Sequence, residues 1–427
     1  MKSSISISSV MAVCAGSATR GQFQGHASPD VTMKFRSLIC AVALTLLAVV
    51  PALASSTWFV DGVHGNDNDN CASHHHACKT ISNAISLTLP GDTIFVAPAV
   101  YHESIFVPYN LKIIGSGAKT TIIDAGGLQA QAAVVGSEPR VPSTLSGMTF
   151  RNADVQANGG GGIYNCFSTL TVIDSIITGN RVRGGKGIFP YGGGIYNCGN
   201  ATLTLINTTV SDNSAEIGGG ICNGGLLTII NSTFSGNVAR KHMGGAIGNY
   251  GTLTITNSTL FGNSSSAEGS AGAILNGGLF QSSGFLLIRN STISGNIAAE
   301  DKGGGIFNVK GSTAELKNSI VANHAGGNCH GAMTSLGYNL SSDDSCNFSG
   351  PGDLNNTEPL LGPLQDNGGP TQTEALLPGS PAIDGGNPDG CTTAGGKLLK
   401  SDQRGAPRPD KEDHGGCDMG AYERQQD

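Results

Sequence analysis

The chain has 427 residues, of which 64 are Gly, 13% are charged and 5% are aromatic. Glycine costs roughly 1 kcal/mol per helical site relative to Ala, which argues against a helical bundle, and without a strict period of three the glycines exclude collagen. Low charge beside a hydrophobic fraction of 38% argues against an expanded, disordered chain.

In chain order, Met33-Lys-Phe-Arg36 is a short basic start, followed by an apolar run from Leu38 to Val50 and then Pro51-Ala-Leu-Ala54. These are the three regions of a secretory signal, and the apolar run is too short to span a bilayer as a helix. Residues 1–54 are therefore expected to be an N-terminal extension plus signal peptide, with translation starting at Met33 and cleavage after Ala54. Cleavage removes Lys2, Arg20, Lys34, Arg36 and Asp30, which moves the formal charge from −7 to −10. An acidic mature chain is not expected to take nucleic acid or an anionic membrane as partner. No later apolar run is long enough for a membrane span. The expectation is an exported monomer in the periplasm, at the cell surface or outside the cell.

Residues 55–150 read as an N-terminal cap with the first rungs of a repeat. Within them, 79–90 are suited to a short helix closing an open end. Asp67-Asn-Asp-Asn70 has the acids of a calcium loop but lacks the Gly and closing Glu of an EF-hand, so no cofactor is assigned. His74-His-His76 has a metal-tract composition and reads as a solvated loop.

The repeat itself occupies 151–350. Gly160-Gly-Gly-Ile-Tyr-Asn165 returns at 192, 218, 244, 271 and 303, at spacings of 32, 26, 26, 27 and 32 residues. A second block recurs between these, as in Leu227-Thr-Ile-Ile-Asn-Ser-Thr-Phe-Ser-Gly-Asn237. Each unit offers three short β-prone pieces separated by Gly and Asn, which tolerate left-handed backbone at tight turns. One unit cannot bury its own apolar face, whereas stacked units bury it continuously. The fold class expected is all-β: a single-stranded, right-handed parallel β-helix. Asn207, Asn231, Asn257, Asn290 and Asn318 recur at one repeat position and are expected to form a side-chain ladder. Some of them also fit glycosylation sequons, but their shared repeat position favours the ladder. Nine of the 17 prolines lie in 351–409, so 351–427 are expected to form an irregular C-terminal cap.

Several motifs carry a resemblance. Gly244-Gly-Ala-Ile247 and Phe234-Ser-Gly-Asn237 are similar to repeats of polymorphic outer-membrane proteins. Trp58-Phe-Val-Asp-Gly62, Cys78-Lys-Thr-Ile81 and Pro90-Gly-Asp-Thr-Ile-Phe-Val96 resemble secreted bacterial β-helix proteins of the pectate-lyase-like superfamily. Gly362 to Pro370, Ser380 to Asp384 and Cys417-Asp-Met-Gly-Ala-Tyr-Glu423 resemble a choice-of-anchor Q region.

In an exported chain, cysteines at short spacing suggest disulfides: Cys71 with Cys78, Cys329 with Cys346, and Cys391 with Cys417. Cys166 and Cys198 hold the same place in successive units and fit a pair one rung apart. Cys222, shifted by one position, is the odd thiol.

Between residues 155 and 299 the acids are few, Asp174, Asp212, Glu216 and Glu268, and none recurs at one repeat position. That disfavours the carboxylate pair of a glycosidase and the acidic calcium site of a lyase. The loops preceding each Gly-Gly carry Arg181, Arg183, Lys186, Glu216, Arg240, Lys241, His242, Glu268 and Glu300-Asp-Lys302, which stacking would place along one edge. Exposure of Phe189 and Tyr191 beside that edge, as a platform for sugar stacking, is what would distinguish a binding edge from one that is merely solvated. The sequence thus favours a non-catalytic scaffold that displays loops for polysaccharide or surface binding. The alternative is a polysaccharide lyase or glycoside hydrolase.

Overall fold

The computed structural model describes residues 55–136, 142–156, 158–185, 189–241, 243–266, 271–278, 282–410 and 416–425. The expected signal and start site, and Lys186, His242 and Glu268, lie outside the described residues.

The chain is a right-handed parallel β-helix. Each regular turn lays one strand in each of four sheets, as in Ile163–Asn165, Thr169–Ile173, Ile176–Thr178 and Arg181–Val182. We call these sheets C, A, B and D in that order; they contain nine, eleven, ten and five strands, each paired with its neighbours in parallel. Sheet D went unforeseen because its two-residue strands are too short to show a period.

Alternation within the strands builds the core. In sheet A, Leu203 and Leu205 point inward while Thr202, Thr204 and Ile206 face out, and the pattern repeats rung after rung. Sheets B and C contribute stacks such as Val210–Phe234–Leu260 and Ile195–Ile221–Ile247. Each such side chain, fully buried, stabilises the coil by about 1.5–3 kcal/mol. The Gly-Gly start of each unit has a steric cause. At Gly192 φ is +61°, and a Cβ on Gly193 would lie 2.4 Å from the Gly219 carbonyl oxygen of the next rung.

Two asparagine ladders run inside the coil, and neither is the one expected. At the corner from C to A, Asn165, Asn197, Asn223, Asn249, Asn276 and Asn308 each donate Nδ2 to the next Oδ1 at 2.7–2.8 Å. At the corner from B to D, Asn180, Asn213, Asn237, Asn263 and Asn296 do the same at 2.8–3.0 Å. Asn207, Asn231, Asn257, Asn290 and Asn318 instead turn the corner from A to B with φ of 49–54°. That conformation directs their side chains outward, away from the interior ladder positions. Asn207 donates to Asp174, while Asn257, Asn290 and Asn318 donate to the carbonyls of Ser401, Thr392 and Asp418.

Two corners keep a fixed length. Asp174-Ser175, Asn207-Thr208 and Asn231-Ser232 turn from A to B, and Gly179-Asn180, Asp212-Asn213 and Gly236-Asn237 turn from B to D. The corners from D to C and from C to A vary freely: 183–194 against 240–246, and 277–284 against Tyr250-Gly251.

The N-terminal end is closed by helix α1 (Ile81–Leu87), whose buried face is Ile81, Ala84 and Ile85. Its N-cap Thr80 accepts from the Asn83 N–H at 3.2 Å, and the Glu103 carboxylate accepts from the N–H groups of Ile81 and Ser82 at 2.9 Å. In the Asp67–Asn70 stretch, Asp67 accepts from the N–H groups of Lys79 and Thr80 and from the Thr80 hydroxyl.

The C-terminal region runs back along the coil. Thr371 Oγ1 donates to the Asn231 carbonyl, Thr259 Oγ1 donates to Gln403 at 2.7 Å, and Ser294 Oγ donates to the buried carboxylate of Glu374. A fully buried Arg408–Glu423 pair at 2.6 Å anchors it, with Arg408 also donating to Asn257 Oδ1. Disulfides join Cys71–Cys78, Cys166–Cys198, Cys329–Cys346 and Cys391–Cys417, and Cys222 is free and buried.

Candidate functional site

The central residue of each sheet C strand faces outward. In register these residues run Phe106, Val134, Tyr164, Tyr196, Cys222, Gly248, Leu275, Phe307 and His330. Tyr164 and Tyr196 are thus neighbours on adjacent rungs, with ring centroids 5.7 Å apart. Phe189 and Tyr191, from the long connection between Val182 and Ile195, lie against them. Tyr191 stacks on Tyr196 at 5.5 Å and 24°, and Phe189 stacks on Tyr191 at 6.3 Å and 16°.

The two platform residues expected from the sequence therefore separate. Phe189 is 58% exposed, whereas Tyr191 is only 9% exposed. Tyr191 is held down because its backbone bridges Gly159 and Ile217 in neighbouring rungs while its ring is clasped between Phe189 and Tyr196. It supports the platform from beneath. Ile217, Cys222 and Tyr250 complete the underside, where Tyr250 fills the space left by Gly248 and its hydroxyl meets Met243 Sδ at 3.5 Å.

Burial pushes the hydroxyls of Tyr191, Tyr196 and Tyr250 above the ordinary tyrosine range, and burial likewise raises the Cys222 thiol. The phenols of Tyr191, Tyr196 and Tyr250 are thus held neutral beside the carbon faces of the rings.

A charged ridge borders the patch at the corner from D to C. Arg183 Nε pairs with Asp154 Oδ1 at 2.7 Å, and Lys241 Nζ pairs with Glu216 Oε1 at 2.7 Å. The second pair packs on the aromatic loop: a Cβ on Gly184 would lie 2.4 Å from Glu216 Oε1 and 3.5 Å from Pro190. Arg240 Nη2 donates to Ser214 Oγ at 3.2 Å, and Arg181 stands exposed on its strand between Asp154 and Ser214. Lys302 is not part of this grouping. Its loop follows Ile297, four rungs beyond Arg181, which at about 4.8 Å per rung is about 19 Å along the axis.

Tyr164, Tyr196 and Tyr250 were missed as site residues. For Tyr164 and Tyr196 the signal was present in the repeated Ile-Tyr-Asn, since the residue between an inward Ile and an inward Asn must face out; Tyr250 follows an Ile-Gly-Asn and gave no such signal.

No family model matches the sequence, and no curated protein matches it. Among solved structures, a pectate lyase, Pel9A, is similar at 15% identity with a TM-score of 0.43, covering 87% of this chain and 98% of that one. A pectin methylesterase mutant in complex with a hexasaccharide is similar at 12% identity with a TM-score of 0.32, covering 70% of this chain and 81% of that one. No helix among the described residues is long and apolar enough to cross a membrane.

Proposed function

We propose that the protein is an exported scaffold that binds polysaccharide, without cleaving it, on the aromatic patch of sheet C. The observation that carries this is the ring stack Phe189–Tyr191–Tyr196, continued by Tyr164 and open at Phe189. Sugar rings present carbon faces to such a surface and hydroxyls to its rim, where the ion pairs of Arg183 and Glu216 and the guanidinium of Arg181 offer hydrogen bonds. On the bordering ridge, Asp154 and Glu216 are each held by a base rather than by one another, which is unlike the acid pair of a glycosidase. Four disulfides fit an oxidising compartment. In keeping with them, the mature chain is proposed to begin after Ala54, with 55–150 as cap and first rungs, 151–350 as regular coil and 351–427 as the C-terminal region.

The test is cosedimentation of residues 55–427 with a panel of insoluble polysaccharides, alongside assays for reducing and unsaturated ends. Binding is expected without release of either product, and Phe189→Ala combined with Tyr164→Ala should weaken it at least tenfold, the loss of two stacking faces. Steady product release, or unchanged binding by the double variant, overturns the reading.

A further inference from the structure

A second ring surface lies away from the patch, on the outer face of sheet A at its N-terminal end. Phe59 and Phe95 occupy one outward row in adjacent strands, continued by Ile114. Their rings stack at 6.1 Å and 23°. The Cys71–Cys78 loop is fastened to Phe59 from both sides: the Phe59 N–H donates to the Cys71 carbonyl at 2.8 Å, and the Cys78 N–H donates to the Phe59 carbonyl at 2.9 Å. This attachment sets His74 against the Phe59 ring, with centroids 4.1 Å apart. Ala97, Pro98 and Ser116 also line the open cleft beside them, which has a volume of about 610 Å³, within the range of ligand pockets.

The lining identifies the ligand class. Phe59, Phe95 and Ile114 form an apolar floor, and His74 is the lone titratable lining residue, so nothing in the cleft repays the desolvation of a charged ligand. At the rim, neither ring nitrogen of His74 has a partner among the described residues. The Ser116 hydroxyl donates to the Val96 carbonyl at 3.0 Å and keeps its lone pairs free to accept. A flat carbon face below and several hydroxyls at the edge describe an uncharged sugar ring; a plain aromatic ring would leave the rim unused.

We propose that this cleft is a second carbohydrate site, taking one uncharged pyranose ring of a neutral glycan on Phe59 and Phe95 under His74. This assigns a role to the histidine tract and to the short disulfide loop that carries it. The site is independent of the sheet C patch.

Isothermal titration of residues 55–427 with cellohexaose, backed by saturation-transfer NMR, tests it. With the sheet C patch removed by Phe189→Ala and Tyr164→Ala in every sample, so that only the cleft is read, binding by this parent is expected to remain, and to weaken about tenfold on adding Phe95→Ala and severalfold on adding His74→Ala. His76→Ala, in the same tract but outside the lining, should bind as the parent does. Phe95 is 42% exposed, so its truncation should leave the thermal midpoint unchanged, which separates lost binding from lost folding. Hexagalacturonate, a charged counterpart, should show no binding that depends on Phe95. Retention of full affinity in both Phe95→Ala and His74→Ala, equal loss in His76→Ala, no binding of cellohexaose by the parent, or capture of 4-nitrophenol in place of the sugar would each overturn the proposal.

Discussion

His324 stands at the place that asparagine holds in the five preceding rungs of the ladder between sheets B and D. Ser294 pairs with Ala322, which aligns Asn296 with His324. Its Nδ1 accepts from the Asn296 N–H at 2.9 Å, as each Asn Oδ1 does, and its Nε2 lies 3.0 Å from the Ile293 carbonyl, where each Asn places Nδ2. The geometry requires the neutral ring protonated on Nε2. Desolvation accordingly lowers its pKa to about 4. Between about 4 and 6.5 the folded protein binds fewer protons at this residue than the unfolded chain, so its contribution falls as pH drops through that window. Replacing His324 with Asn should keep both bonds and remove this acid sensitivity, read as urea midpoints between pH 4 and 7. His324→Ala should cost about 2–4 kcal/mol near pH 7, because a buried donor and a buried acceptor lose their partner, and less as pH falls toward 4, where the parent loses the contribution of the neutral ring.

At the scale of the rung, two kinds of recurring asparagine behave oppositely under the same substitution. Asn237 is fully buried and makes bonds to Asn213, Asn263 and the Val210 carbonyl, so Asn237→Gly should cost about 2–5 kcal/mol in urea denaturation. Asn207 has a φ of +51°, which glycine adopts freely, and makes an exposed bond to Asp174. Asn207→Gly should therefore fall within about 0.5 kcal/mol of the parent. The sequence showed that both sets recur but did not show which pointed inward. A repeat position fixes stacking, whereas a left-handed corner reverses the direction of the side chain without altering the period. The coil, its three main sheets and the glycine turns were legible because strand period and turn chemistry are local. The burial of Tyr191 was not, since it depends on how a long connection folds back over a neighbouring rung.

Over the whole molecule, the path of the C-terminal region was the least legible feature, because contacts such as Thr233 with Gln372 join irregular chain to coil across long separations without a period. That region is clamped in part by buried acids whose desolvation favours the protonated form. Burial pushes Glu374 and Asp418 each up to about 7, the latter also through the nearby Glu423 charge. From the ordinary carboxylate range to about pH 7 the folded protein holds protons that the unfolded chain releases, so their contribution is full at low pH and is lost as pH rises to about 7. Limited proteolysis between residues 351 and 410 should be slower at pH 5 than at pH 8, and Glu374→Gln should reduce that difference. Equal cleavage at the two pH values in the parent would show that these acids do not govern docking. The fixed and variable corners have a further consequence. Chain added where D meets C, or where C meets A, displaces no strand, since the register is set at the other two corners by left-handed turns and the inner asparagines. Such a coil can rewrite its recognition surface loop by loop while its folding code stays untouched, so the same spine can be fitted to a different ligand.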